Sequence, residues 1–352
     1  MPESFTLAQA FERQVHGAAI AGSPMYASLL NGLLADYLAG GFTAEILEGL
    51  TDTPLHDATP LRYLAVAHRL ALEGRAPELA ALYPSCSGRW DGQDITDVLL
   101  SVVATHRGDF VRGVQRGVQT NEVGRAPVLV SGLALLAERH RAPLDILEIG
   151  SSAGLLSRWD HYFYDTGETC LGVADSLLRF GPAWWKGPKP ALDVRIDIAR
   201  KRAVDLSPID ISTKEGRTTM LSFVWPDQME RIERLRAALE VAARTSLAID
   251  QADAGVWLGE QLRDGGARGA TTVVFHSIVW QYLPRDTKDG VRAALAHAGS
   301  KATTDSPLAW LRMEPATPDH AELRLTTWPT GEQELLAQVG YHGADIRWVA
   351  SP

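Results

Sequence analysis

The stretch Leu147-Glu148-Ile149-Gly150-Ser151-Ser152-Ala153-Gly154-Leu155-Leu156 limits what this chain can fold into more than any other. With Leu144-Asp145-Ile146 before it, residues 144–149 read as a short buried strand that ends at Gly150. Gly150 lets the chain turn off the strand tip, and Gly154 lets the next element approach closely. The run from Leu155 predicts a helix to Tyr164, with free N–H groups and a positive dipole end facing a bound molecule. Open α/β sheets bind ligands at such strand carboxyl ends. Residues 145–164 therefore read as a cofactor site.

The surrounding pattern supplies the sheet. Further strands are predicted at 202–205, 220–225, 247–249, 272–276, 308–313, 322–327 and 345–349. Helices are predicted between several of them, at 229–243, 256–263 and 290–297. Alternation of this kind predicts a parallel sheet covered on both faces. Leu323 and Leu325 alternate with polar residues and no comparable helix separates the last two strands, which predicts an antiparallel C-terminal edge. Before residue 142 the pattern is helical, with apolar spacing at 25–38, 61–72 and 98–111 and a helix opened by Pro127. The expected organisation is an α-helical N-terminal domain, 1–141, and an α/β domain, 142–352, with an insertion at about 165–200 that carries Trp184 and Trp185 and forms a flap.

Charge and composition exclude other classes. A net charge of -9 without a Lys/Arg block argues against nucleic acid, which needs a basic patch. Two cysteines, Cys86 and Cys170, cannot build a disulfide framework, so a reduced cytoplasmic setting is expected. The apolar stretch 127–137 is too short to span a bilayer and the first residues lack a signal-peptide core, so no membrane partner is expected. There is no phosphate loop or H-E-x-x-H pair, and no metal site is expected.

The ligand follows from the loop. A dinucleotide fingerprint wants G-x-G-x-x-G, whereas here the spacing is Gly150, Ser152, Gly154 with Glu148 two residues ahead. A carboxylate there sits badly beside a diphosphate and suits a cation, which disfavours a nucleotide-dependent oxidoreductase. The motif resembles the first motif of class I S-adenosylmethionine (SAM)-dependent methyltransferases, with Ser152 for the commoner middle glycine. That resemblance implies a Rossmann-like, methyltransferase-type sheet and SAM as cofactor. It also implies that Asp205, at the end of a strand, accepts bonds from the ribose hydroxyls. The distance of Asp205 from Gly154 requires the intervening insertion. Asp253 falls where such folds bond the adenine amine, or else caps the helix 256–263.

Four dense polar clusters complete the picture, three of them expected at strand carboxyl ends. They are Gln119-Thr120-Asn121-Glu122-Val123-Gly124-Arg125, Trp225-Pro226-Asp227-Gln228, His276 to Tyr282, and Trp310-Leu311-Arg312-Met313-Glu314-Pro315. Together with Ser23-Pro24-Met25-Tyr26-Ala27 and Val204-Asp205-Leu206, they resemble the bacterial family called domain of unknown function 2332, over nearly the whole chain. That resemblance implies a Rossmann-like fold and carries no reaction with it. The expected function is methyl transfer to a small molecule. His276 is the base, Tyr282 orients the nucleophile, and Glu122 joins them. Asn121, Arg125, Asp227, Gln228, Trp280, Gln281, Arg312 and Glu314 contact substrate, Arg125 by forking onto an anionic group. The alternatives are a non-catalytic ligand-binding protein on the same fold, with His276 a hydrogen-bonded structural residue and Glu122, Arg125, Arg312 and Glu314 ion pairs.

Overall fold

A computed structural model describes residues 5–119 and 121–350; Thr120 of the polar cluster lies outside the described residues. The chain forms two compact units, Met1–Thr120 with Ser212–Arg236, and Asn121–Ile211 with Ala237–Pro352. The boundary falls earlier than 141/142, and the segment Ser212–Arg236 joins the helical unit. The second division falls inside the helix Met229–Ala242.

The first unit is helical: α1 (Leu7–Ile20), α2 (Pro24–Leu38), α3 (Phe42–Leu47), α4 (Thr59–Leu72), α5 (Pro77–Ala80), α6 (Thr96–Thr105) and α7 (Arg107–Gly113). Thr6 and Gln9 close α1 with a reciprocal capping box, and Ser23 caps α2 ahead of Pro24 at its first position. Met25, Leu29, Leu33, Tyr63, Leu70, Leu99, Val103 and Phe110 pack into one core. The predicted helix 98–111 is two helices, because the backbone at His106 leaves helical geometry. The strand predicted at 220–225 is instead the end of a helix, Lys214–Ser222, started by the Thr213 hydroxyl, which accepts from Gly216 N at 3.0 Å.

The second unit holds a sheet of eight strands and a small one of three. The strands are β1 (Leu144–Ile149), β2 (Phe163–Asp165), β3 (Cys170–Gly172), β4 (Arg179–Phe180), β5 (Ile198–Asp205), β6 (Ile249–Gln251), β7 (Thr271–Ser277), β8 (Leu308–Pro315), β9 (Ala321–Trp328), β10 (Glu332–Val339) and β11 (Arg347–Trp348). The large sheet runs β11-β10-β9-β8-β7-β1-β5-β6. Strands β6, β5, β1, β7 and β8 pair in parallel, and β8 through β11 pair antiparallel. The expected parallel core with an antiparallel C-terminal edge is therefore present, with β10 as an unforeseen extra strand.

Each face of the large sheet is covered. Helix α8 (Ala126–His140) lies against β8 and β9, where a Cβ on Gly132 would come within 2.8 Å of a Leu311 methyl, so glycine favours this close approach. Opposite it, Trp257, Leu258, Val291 and Leu295 from the helices Ala254–Gln261 and Arg285–Lys301 bury Leu147, Ile149, Val204 and Val274. From β1 the chain crosses to β5 on one side, and β7 lies on the other. The order thus reverses at β1, and loops diverge from the carboxyl ends of β1 and β7.

The helix predicted after Gly154 is absent. Residues Leu156–His161 form a 3-10 segment and Phe163 already begins β2. Side chains take the carbonyls that an α-helix would use. Arg158 Nη1 donates to Gly154 O at 2.7 Å, Tyr162 Oη to Leu155 O at 2.6 Å, and Tyr164 Oη to Trp159 O at 3.0 Å. Nor is the insertion a free flap. Lys186 N and Ile346 O (2.7 Å), and Ile346 N and Trp184 O (2.8 Å), tie it to the strand end near β11, and buried Trp185 donates to Ser131 of α8.

Candidate active site

Two groups of polar residues line the carboxyl ends of β1, β5, β7 and β8. The first is the glycine turn. Gly150 (φ +67), Ser152 (φ +51) and Gly154 (φ +66) all take left-handed backbone. Asp205, at the tip of β5, holds the turn: Oδ2 accepts Ser152 N at 2.8 Å and Oδ1 accepts Ser207 N at 2.8 Å. Asn121 Oδ1 accepts Leu155 N at 2.7 Å, closing the N–H that was expected to face a ligand. A Cβ on Gly150 would strike Val279 at 2.4 Å, and the left-handed backbone strains a side chain at both positions, so glycine is favoured at both without a ligand.

Glu148 departs most from its sequence-assigned role. It is buried, and Ser157 Oγ donates to its Oε2 at 2.5 Å. Burial pushes its pKa up to about 8, helped by nearby Asp205 and opposed by Ser157 and Arg158. A neutral, covered carboxyl does not attract a cation. Arg158, which sequence reasoning passed over, donates to the carbonyls of Ala153 and Gly154 and to Thr245. It is the one charged residue between Gly150 and Trp159, and that isolation was the available signal.

The second group surrounds His276. His276 pairs with Arg312 across β7 and β8, so Trp310, Arg312 and Glu314, two residues apart along β8, share its face. The fully buried imidazole places Nδ1 at 2.6 Å from Glu314 Oε1, which also accepts Val279 N at 3.1 Å and Trp280 N at 3.2 Å. An oxygen that accepts two backbone N–H groups is the acceptor for Nδ1–H too, which leaves Nε2 of a neutral ring as a base. Nε2, Glu314 Oε2 and Trp310 Nε1 are buried without a hydrogen-bond partner among the described residues. Trp280 stacks on the ring at 5.3 Å and 15°, and Trp310 tilts against it at 5.8 Å. Ile278, between His276 and Trp280 in the chain, sits at φ +50, an unusual conformation for a β-branched residue. Such strain collects at functional segments.

The remaining site residues divide. Arg125 donates to Ser277 O (3.3 Å) and Tyr341 O (3.0 Å), and the buried Glu122 accepts Gly124 N at 3.1 Å. These two anchor the turn before α8 instead of forking onto a substrate. Burial raises the Tyr282 phenol above its ordinary value; Arg125 and a bond with Gln281 lower it, and Glu314 raises it. Arg312 lies over the Trp310 ring at 4.2 Å and donates to Thr326. Asp253 caps the helix Ala254–Gln261, accepting Gly255 N and Val256 N, and takes the Thr287 hydroxyl as well. Asp227 and Gln228 belong to the helical unit and follow a helix, not a strand. Asp227 there accepts Ser23 Oγ at 2.6 Å and Met25 N at 3.2 Å, and Gln228 donates to Ala21 O. Among the described residues no group of three metal-type ligands assembles and no helix is long and apolar enough to cross a membrane.

These features together define an α/β protein with a polar rim at the strand ends of its second unit. The profile of the family described as "Uncharacterized protein conserved in bacteria (DUF2332)" matches residues 8–348, and the chain belongs to that family. Neither curated proteins nor solved structures give a match.

Proposed function

We propose that the second unit binds SAM at the β1–β7 reversal and transfers its methyl group to an oxygen or nitrogen of a small molecule. One observation carries the reading: the glycine turn clamped by Asp205 and the Glu314-oriented His276 stand on the two sides of that reversal. Each Asp205 oxygen accepts a single backbone N–H and retains a lone pair, which fits a pair of ribose hydroxyls. Glu148 does not fit the amino end of the cofactor, and Asp253 is spent on its helix cap.

When bound, SAM supplies an electrophilic methyl group. The protein's own part is proton handling. His276 takes a proton at Nε2 from the acceptor while Glu314 keeps Nδ1–H in place and stabilises the imidazolium that forms. Nε2 is buried and Trp280 stacks on the ring, so on this reading access for substrate requires a movement of the groups around the ring. A non-catalytic binding protein on the same fold is the second reading. It is favoured by the internally satisfied turn, where Asn121, Ser157 and Arg158 occupy groups that a ligand could use.

Calorimetric titration of the full chain with SAM, S-adenosylhomocysteine and NAD(P) tests the proposal. Both adenosyl ligands are expected to bind and NAD(P) is not, with Asp205→Asn weakening them about tenfold, the loss of roughly one charge-assisted bond. If neither adenosyl ligand binds at millimolar concentration, the methyltransferase reading is abandoned. Binding without release of S-adenosylhomocysteine over a panel of hydroxyl- and amine-bearing acceptors favours the second reading.

A further inference from the structure

The helical unit carries a cationic cleft that methyl transfer does not use. It has a volume of about 230 Å³ and lies between α4, α7 and the helix Lys214–Ser222. Gly113 brings α7 close to α4, since a Cβ there would meet Val66 at 2.4 Å. Five arginines line the cleft, Arg62, Arg69, Arg75, Arg112 and Arg116, against two acids, Glu73 and Asp109. This is a local inversion in a chain of net charge -9.

These two acids are shared among three of the five guanidiniums. Glu73 accepts from Arg69 at 2.7 Å and Arg75 at 3.4 Å; Asp109 accepts from Arg75 at 2.6 Å and Arg112 at 3.1 Å. Glu215, outside the lining, accepts from Arg69 at 3.1 Å and Arg116 at 3.4 Å. With Glu215 counted, five guanidiniums face three carboxylates, and a fourth, Asp57, stands at 3.8 Å from Arg62. Arg62 has the weakest complement. Its Nη2 reaches Asp57 only at 3.8 Å, and that carboxylate is already engaged by Thr51, Thr53 and His56. Its Nη1 reaches Val114 O at 3.5 Å, and its Nε is buried with no partner among the described residues. Burial accordingly lowers the Arg62 pKa more than Asp57 restores it. The Thr219 hydroxyl accepts from Arg69 at 3.1 Å and donates to no group among the described residues.

We propose that this cleft binds the phosphate dianion of a small phosphomonoester, held by Arg62 and Arg69 and closed by Arg112 and Arg116. The lining remains net positive even with Glu215 and Asp57 counted, and a phosphate dianion offers the guanidiniums more charge and more acceptor oxygens than a monocarboxylate does. The phosphate oxygens also accept several planar guanidinium forks and the Thr219 hydroxyl together. The cleft is large enough for the phosphate and a few atoms beyond it.

The test uses the full chain without SAM at constant ionic strength, so its outcome is independent of the methyl-transfer reading. Inorganic phosphate is expected to bind by calorimetry and raise the Tm, whereas acetate does neither. Arg62→Gln should weaken phosphate at least tenfold. Because Arg62 is half-buried, the exposed pair Arg112→Gln/Arg116→Gln serves as the second variant; it should weaken phosphate several-fold with the anion-free Tm unchanged. Arg89→Gln, an equal charge change at an exposed arginine outside the cleft, should bind as the native chain does. Equal shifts from phosphate and acetate, or native phosphate affinity in both cleft variants, would overturn the proposal. Sedimentation with phosphatidic acid vesicles, competed by phosphate, would assign the same dianion site to a lipid headgroup. Phosphate binding without vesicle retention assigns it to a soluble ester.

Discussion

The glycine turn and the His276 pair occupy neighbouring strand ends of one sheet, yet they use their polar groups in opposite ways. At the turn, internal bonds fill the strong groups. Asp205 holds two backbone N–H groups, Asn121 one, Ser157 holds Glu148, and Arg158 covers two carbonyls. At His276 the pairing with Glu314 leaves three buried polar atoms, Nε2, Oε2 and Trp310 Nε1, unpaired, under a backbone strained at Ile278. An unsatisfied buried polar group costs about 1–3 kcal/mol, so this cluster is retained against stability, whereas the turn contributes to it. On the proposed function the turn is a scaffold, and proton transfer falls to the imidazole.

The sharpest way to break that contrast is His276→Asn. The amide can still donate to Glu314 but cannot take a proton, so methyl transfer is expected to fall about 10²–10⁴-fold. Affinity for S-adenosylhomocysteine should be unchanged. Lost affinity with an unchanged transfer rate would reverse the roles assigned to the two groups. Gly150→Ala attacks the scaffold instead. It forces a Cβ into left-handed backbone and to within 2.4 Å of Val279, beside the turn covering His276. Left-handed strain and overpacking together predict about 2–4 kcal/mol of lost stability in denaturant unfolding.

A pH titration distinguishes the two groups further. The folded state raises the Glu148 pKa from 4.5 to about 8, so between those values it binds a proton that the unfolded chain releases. This contribution to stability is fully present below pH 4.5 and is lost as pH rises through about 8. Glu148→Gln keeps the neutral form and a partner for Ser157 but does not titrate. Its stability relative to the native chain should therefore rise by about 1.4 kcal/mol per pH unit across that window. A difference that stays flat with pH would mean that Glu148 is ionised and available to a cation, as its sequence position first suggested.

Much of the scaffold was legible in the sequence because it rests on local pattern. Continuous apolar runs marked β1, β7 and β8, and Pro127 marked the start of α8. The helix after Gly154 was misread because its competitors, the Tyr162 and Tyr164 hydroxyls and Arg158, act through three-dimensional contacts that propensity does not register. The strand-like residues Met220 to Trp225 outweighed the Thr213 cap, although that signal was present. His276 and Glu314 were both singled out, but their pairing was hidden. It depends on the β7–β8 register, which places residues 38 positions apart side by side. Burial, too, was invisible, and burial is what turned Glu148 from a ligand group into a neutral structural one.

Asp253 provides the smallest and most specific check, because sequence position made it a ligand group and geometry makes it a cap. Its Oδ1 accepts Gly255 N at 2.9 Å and Val256 N at 3.1 Å, and Oδ2 takes the Thr287 hydroxyl. These bonds, with that of Thr287 the largest of them, pull its pKa below the ordinary carboxylate value despite the opposing effect of burial. Asp253→Ala should cost about 1 kcal/mol, the usual loss of an N-cap, and Asp253→Ser, which retains a cap oxygen, should recover much of it. Neither change should alter affinity for an adenosyl ligand. Should Asp253→Ser restore stability but not affinity, the residue would rejoin the ligand set, and the division between scaffold and reactive groups would have to be redrawn to include the β6 end.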